Sequence, residues 1–121
     1  MPSKQVRSVD STGDVMEIDV SVYQKKLEKY YDSDGKLLQY PPKRPMRILA
    51  LIRIAERLDP SRRYLEKEIN EIIRDSIAFQ DIELLRRELY QYKLVDRLRD
   101  GSAYWAEPDW KERYQEYNAK D

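Results

Sequence analysis

Apolar side chains at Ile82, Leu85, Leu89 and Tyr92 recur at steps of three, four and three, which gathers them on one side of a 3.6-residue period. The spacing predicts a helix with that side in a core. Glu83, Arg87, Tyr90 and Gln91 fall on the opposite side, with Arg86 at the boundary, so guanidinium and phenol groups are expected in solvent. After Leu94 the helical period stops. Val95 to Leu98 reads as a strand, and Arg99-Asp100-Gly101-Ser102 as a tight connection, because Asp-Gly suits a two-residue turn in which both central positions take positive φ. The strands should pair Leu98 with Ala103 and Arg97 with Tyr104.

The same reading extends toward the N-terminus. Residues 1–14 mix Ser, Asp, Lys and Gly without an apolar period and are expected to form a flexible tail. Met16, Ile18, Val20 and Val22 alternate as a strand would, whereas Val20, Tyr23, Leu27 and Tyr30 or Tyr31 fit a helix, which we prefer from about Val20 to Tyr31. Asp32-Ser33-Asp34-Gly35 reads as a turn, and its spacing does not fit a calcium-binding loop. A short extended segment from Lys36 to Tyr40 follows, and Pro41 and Pro42 end it. Pro45 suits a first helical turn, and Ile48, Leu49, Leu51, Ile52, Ala55 and Leu58 give the helix behind it a wide apolar face until Pro60. A further helix from about Leu65 to Asp75 places Leu65, Ile69, Ile72 and Ile73 together. Asp81 is the expected N-cap of the arginine-bearing helix. Near the C-terminus, Trp110, Tyr114 and Tyr117 form an aromatic stripe on a short helix from Pro108 to Tyr117, which either folds back on the Tyr23 and Leu27 face or presents an interaction surface.

Composition narrows the chemistry. The 121 residues allow one domain, at residues 15–121, with a core at about 43–106 that is large enough to need no covalent staples. There is no cysteine and no histidine, which removes disulfides, thiolate metal sites, the commonest general base and every Ser-His arrangement. The three glycines, Gly13, Gly35 and Gly101, form no phosphate-binding loop. Glu66, Glu68 and Glu71 sit near a helix N-terminus, where negative charge is favoured by the exposed N–H groups, and need no catalytic explanation. A non-enzymatic protein without cofactor or metal is expected. The longest apolar run, Ile48 to Ile52, is too short to cross a bilayer and no signal-peptide core is present, so a cytoplasmic protein without a membrane partner is expected.

Lys plus Arg and Asp plus Glu are both 23, so the net charge is zero. It is not evenly spread. Residues 1–42 carry 6 basic and 7 acidic side chains, residues 43–102 carry 14 and 11, and residues 103–121 carry 3 and 5. The middle is therefore +3, and its cations fall in clusters: Lys43, Arg44 and Arg47; Arg62 and Arg63; Arg86 and Arg87; Arg97 and Arg99.

The order Tyr40-Pro41-Pro42-Lys43-Arg44, then Arg47 to Leu58, then Tyr64-Leu65-Glu66-Lys67-Glu68-Ile69-Asn70, then Leu85-Arg86-Arg87-Glu88-Leu89, then Arg97 and Asp100-Gly101-Ser102 with Tyr104-Trp105, resembles the prokaryotic domain of unknown function 2087. The resemblance spans about Val20 to Trp105. It implies a protein that stands alone or is attached to transcriptional regulators. The family pattern usually has Thr where this chain has Leu65, so the capping box that Thr would form with Glu68 is expected to be lost, at about 1 kcal/mol. Separately, LLRRELYQYKLVDR resembles the recognition helix and first wing strand of small bacterial winged-helix repressors.

Together these readings predict a mainly α protein with a small β hairpin, a winged helix-turn-helix core with added N-terminal and C-terminal helices. The function expected is a DNA-binding or transcription-associated module. Arg87, Tyr90 and Gln91 would approach base edges with Arg86 at the boundary, while Arg97, Arg99, Lys43, Arg44 and Arg47 contact phosphates of double-stranded DNA. The alternative is a non-catalytic interaction module on the same fold, in which Trp110, Tyr114 and Tyr117 or the N-terminal helix join a second copy or a transcriptional regulator.

Overall fold

Seven of the twelve residues of one helix, α2 (Arg44–Ala55), are buried, among them Met46, Leu49, Leu51 and Ile54, so the rest of the chain packs around it. Pro45 lies in its first turn, as its missing N–H allows. The helix ends at Ala55 rather than Leu58; Arg57 and Leu58 continue as a turn, donating to the Ile54 and Ala55 carbonyls, and Leu58 is still buried. The computed structural model describes residues 5–9 and 15–117.

Ahead of α2, strands β1 (Gln5–Val9) and β2 (Val15–Asp19) pair antiparallel, Gln5 opposite Asp19 and Val9 opposite Val15. Regular structure therefore begins inside the stretch expected to be a tail; residues 1–4 and 10–14 of that stretch lie outside the described residues. Helix α1 (Val20–Leu27) follows β2 directly and ends in a 3₁₀ turn at Glu28–Tyr30. The two periods seen between Met16 and Tyr31 were thus both real, with the change from strand to helix at Val20.

Gly35, at φ +79°, closes the turn after α1, where the Asp32 carboxylate accepts from the N–H groups of Asp34 and Lys36. Leu37 is then fixed on two sides. It bridges Tyr31 and Ile77, donating to the Ser76 carbonyl at 2.8 Å and accepting from the Ala78 N–H at 2.7 Å.

Beyond α2 come strand β3 (Arg63–Tyr64), helix α3 (Glu66–Ser76), helix α4 (Ile82–Gln91), strands β4 (Val95–Arg97) and β5 (Tyr104–Ala106), and the short helix α5 (Trp110–Arg113) with a 3₁₀ turn at Gln115–Tyr117. β5 lies between β3 and β4 in an antiparallel sheet. Its register has Arg97 opposite Tyr104, with the Leu98 N–H donating to the Ala103 carbonyl at 2.9 Å, as the alternation required. The connection differs from the expected two-residue turn. Gly101 has positive φ but Asp100 does not, so the loop is four residues long, closed by Gly101 N–H to Leu98 carbonyl at 2.9 Å. Asp100 instead uses its carboxylate to hold Ser102, through backbone N–H and hydroxyl, and those bonds keep its carboxyl below the usual range.

The result is a mixed α+β protein, mostly helical, with a small three-stranded antiparallel sheet. Ile69 and Ile73 of α3, Leu85 and Leu89 of α4 and Leu51 of α2 belong to one core, each at most 1% exposed. Removing side chains of this kind costs ~2–5 kcal/mol. Leu65 breaks the expected α3 face: at 51% exposure it is the N-cap, outside the core. The expected loss of the capping box is also only half correct. The leucine side chain offers no acceptor, so the Glu68 N–H donates to the Leu65 carbonyl at 3.0 Å instead, while the Glu68 carboxylate still takes the Leu65 N–H at 2.8 Å. No helix among the described residues is long and apolar enough to cross a membrane.

Candidate nucleic-acid interface

The open side of α4 and the β4–β5 hairpin face each other across a groove of about 350 Å³. Arg86, Arg87, Tyr90 and Gln91 of α4 line it, together with Arg97 of β4, Tyr104 of β5 and Glu66 at the start of α3. The helix presents these groups because Leu85 and Leu89 are buried, which turns positions 87, 90 and 91 outward. Asp81 starts the helix as expected, accepting from the Leu84 N–H at 3.2 Å.

The side chains in the groove differ in freedom. Arg87 and Gln91 are exposed, and Tyr90 is 42% exposed. The Arg97 guanidinium stacks 5.0 Å above the Tyr90 ring, a contact that orients its donors without using them. A methyl group added at Gly101 would only reach ordinary contact with Arg97 Nη1, at 3.6 Å, so it is the φ of +77° and not space that calls for glycine there.

Arg86 departs from the expectation. Its Nη1 donates to Asn70 Oδ1 at 2.7 Å, its Nη2 lies 3.2 Å from Glu66 Oε1, and its side chain is 19% exposed. It ties α4 to α3 rather than standing outward beside Arg87. Asn70 of α3 is the acceptor in this tie.

The N-terminal basic cluster lies apart from the groove. Arg47 Nε donates to the Pro41 carbonyl at 2.6 Å and its guanidinium covers the Tyr40 ring at 5.0 Å, contacts that hold it within the fold. Tyr40 in turn donates to Glu88 Oε1 at 2.9 Å, and burial with that carboxylate pushes its phenol well above the usual range. Lys43 is exposed at the start of α2; Arg44 is exposed with its guanidinium 5.7 Å from the Tyr92 ring. Arg99 is exposed in the hairpin loop, outside the groove lining.

Most of the aromatic stripe is buried within this chain. Trp110 and Tyr117 are 8% and 6% exposed, and Tyr114 donates to the Tyr92 carbonyl. The segment folds back, with Gln24 of α1 donating to the Tyr117 carbonyl at 3.5 Å. The helix expected over this stretch is interrupted at Tyr114, between α5 and the 3₁₀ turn.

Local pattern does not mark Glu66 and Tyr104 as walls of the groove, since Glu66 is distant in sequence from α4 and Tyr104 has the pattern of a plain strand residue. Nor does it mark Arg63, whose guanidinium lies 4.5 Å from the Trp105 ring on the opposite side of the sheet, although their strand register would have shown it once β3 was known. Among the described residues no group of three or more His, Cys, Asp or Glu side chains could hold a metal ion. What the groove offers is hydrogen-bond donors with a planar cation and an amide, a set suited to phosphate oxygens and base edges.

No curated protein and no solved structure matches the chain. The family match begins later than the expected span, at residue 36, and so leaves out α1. Residues 36–106, which hold α2 through β5 and every wall of the groove, match the model of the uncharacterized proteins conserved in bacteria called DUF2087, and the chain belongs to that family.

Proposed function

We propose that this chain is a DNA-binding or transcription-associated module with a winged-helix core. The order α2, β3, α3, α4, β4, β5, with β5 between β3 and β4, supports the winged-helix reading, with α4 as recognition helix and the β4–β5 hairpin as wing. One observation carries the functional part: Arg87, Tyr90 and Gln91 of α4 share a groove with Arg97 of the hairpin. A helix and a ribbon that present donors to the same space can engage base edges and backbone of one duplex together. The basic excess of residues 43–102 lies in the same part of the chain. Because the whole chain is neutral, the binding should be modest and strongly salt-dependent.

The test is a titration with labelled duplex DNA at two salt concentrations. Affinity should fall as salt rises, and Arg87→Ala should weaken it by roughly tenfold, about 1.4 kcal/mol, without lowering thermal stability. Binding indifferent to both salt and Arg87 would refute the proposal.

A further inference from the structure

The end of α4 carries a residue that its backbone does not favour. Lys93 has φ +59°, the only positive value at a non-glycine position among the described residues. It occupies the site just past the helix where glycine is the usual choice. Its side chain is not needed to end the helix. The Leu94 N–H donates to the Leu89 carbonyl at 2.9 Å and the Lys93 N–H to the Tyr90 carbonyl at 3.1 Å, while Leu89 and Leu94 are both buried. These are the two bonds and the apolar contact of a Schellman cap, complete in the backbone and the leucines. Glycine would serve that backbone better, so what lysine adds at this position is its ammonium group.

Lys93 lines a second concavity, of about 450 Å³, with Arg44 of α2 and Arg113 of α5. These three cations share the concavity with the Glu88 carboxylate, which already accepts from the Tyr40 hydroxyl, and the Glu107 carboxylate acts on Lys93 and Arg113 from nearby. Arg113 pairs with Asp109 at 3.3 Å, but both are exposed, and solvent weakens a contact of that kind. Gln91 belongs to this concavity and to the groove of Arg87 and Arg97 alike. The two depressions therefore adjoin at the C-terminal end of α4.

We infer that Lys93, Arg113 and Arg44 seat a backbone phosphate of the same duplex on the flank of α4 away from Arg97. The inference rests on the duplex-binding reading above. A helix lying in a major groove has a phosphate strand along each side, so a recognition helix with cations on one flank only would be held by half of what the duplex offers. Neither Lys93 nor Arg113 stands out in the sequence, because one reads as a helix end and the other as part of a solvated C-terminal helix.

The experiment compares wild type with Lys93→Gly, Arg113→Ala and their double variant in duplex titrations over a range of salt, alongside thermal unfolding. The slope of log affinity against log salt should lose about 1 in the double variant, the share of one phosphate, and part of that in each single variant, equally for all duplex sequences. Lys93→Gly should keep or raise the unfolding midpoint, so that weaker binding cannot be assigned to a weaker fold. Lys111→Ala, on the exposed side of α5 and outside the concavity, should leave the slope unchanged. Unchanged slopes for Lys93→Gly and Arg113→Ala, with binding still weakened by Arg87→Ala, would overturn this inference alone. Absence of salt-sensitive duplex binding by wild type would overturn it together with the proposed function.

Discussion

Two neighbouring arginines, Arg87 expected on the open face of α4 and Arg86 at its boundary, meet different surroundings. Arg87 is exposed on the groove, whereas Arg86 is held by Asn70 and Glu66 of α3. The difference is one position on a helix, about 100° of rotation, which is enough to move a guanidinium from solvent to a helix–helix seam. Arg86→Ala should therefore act on stability. Loss of a charge-assisted bond in a mostly buried setting is expected to cost about 1.5–3 kcal/mol in denaturant unfolding, with most of that coupling shared with Asn70 in a double-mutant cycle. Additive effects of Arg86→Ala and Asn70→Ala would show that the two side chains do not stabilise each other. The boundary position of Arg86 was visible in the sequence, but its partner was not, because Asn70 lies 16 positions earlier, across a turn whose geometry no local pattern specifies.

At the scale of elements, the helices were legible wherever a long apolar period coincided with a capping residue, as in α2 behind Pro45 and α4 behind Asp81. The short strands were less so. β3 is two residues long and has no period of its own; it exists because Tyr64 and Arg63 pair with Tyr104 and Trp105 of β5. The start of α3 is a place where local chemistry can be improved. Leu65 has extended backbone, a half-formed box with Glu68 and a side chain 51% exposed, so Leu65→Thr gives up little burial and adds a side-chain acceptor beside the Leu65 carbonyl that now takes the Glu68 N–H. That variant should be more stable by about 1 kcal/mol, read as a higher thermal midpoint; an unchanged or lower midpoint would mean that the exposed leucine makes a contribution that its accessibility hides.

For the whole molecule, tyrosine burial sets a pH limit. Burial raises the phenols of Tyr31, Tyr40, Tyr114 and Tyr117, that of Tyr117 to about 12. In the unfolded chain these groups ionise near 10. Between those values the unfolded state holds fewer protons than the folded one, so stability is fully present below pH 10 and falls as pH rises toward 12. Urea midpoints measured from pH 8 to 12 should drop across that window, and less steeply for Tyr117→Phe; a flat profile would show that these hydroxyls ionise in the fold as they do in water. The zero net charge has its own consequence at this scale. With 23 charges of each sign, any affinity for a polyanion must come from arrangement, which is why the placement of Arg87, Arg97 and Lys93 carries more weight than the count.

The sequence alone determined which segments are helical, which face of α4 is buried and which pairs close the β4–β5 hairpin, because these follow from periodicity and short-range pairing, whose causes lie within a few residues. Tertiary packing decided the rest. It joined β3 to the hairpin, drew Arg86 and Arg47 into the fold, buried Trp110 and Tyr117, and set Lys93 beside Arg113. Each of those outcomes depends on groups far apart along the chain meeting in space, and a side chain that is solvated in an isolated helix becomes a tie or a wall once a second element closes over it.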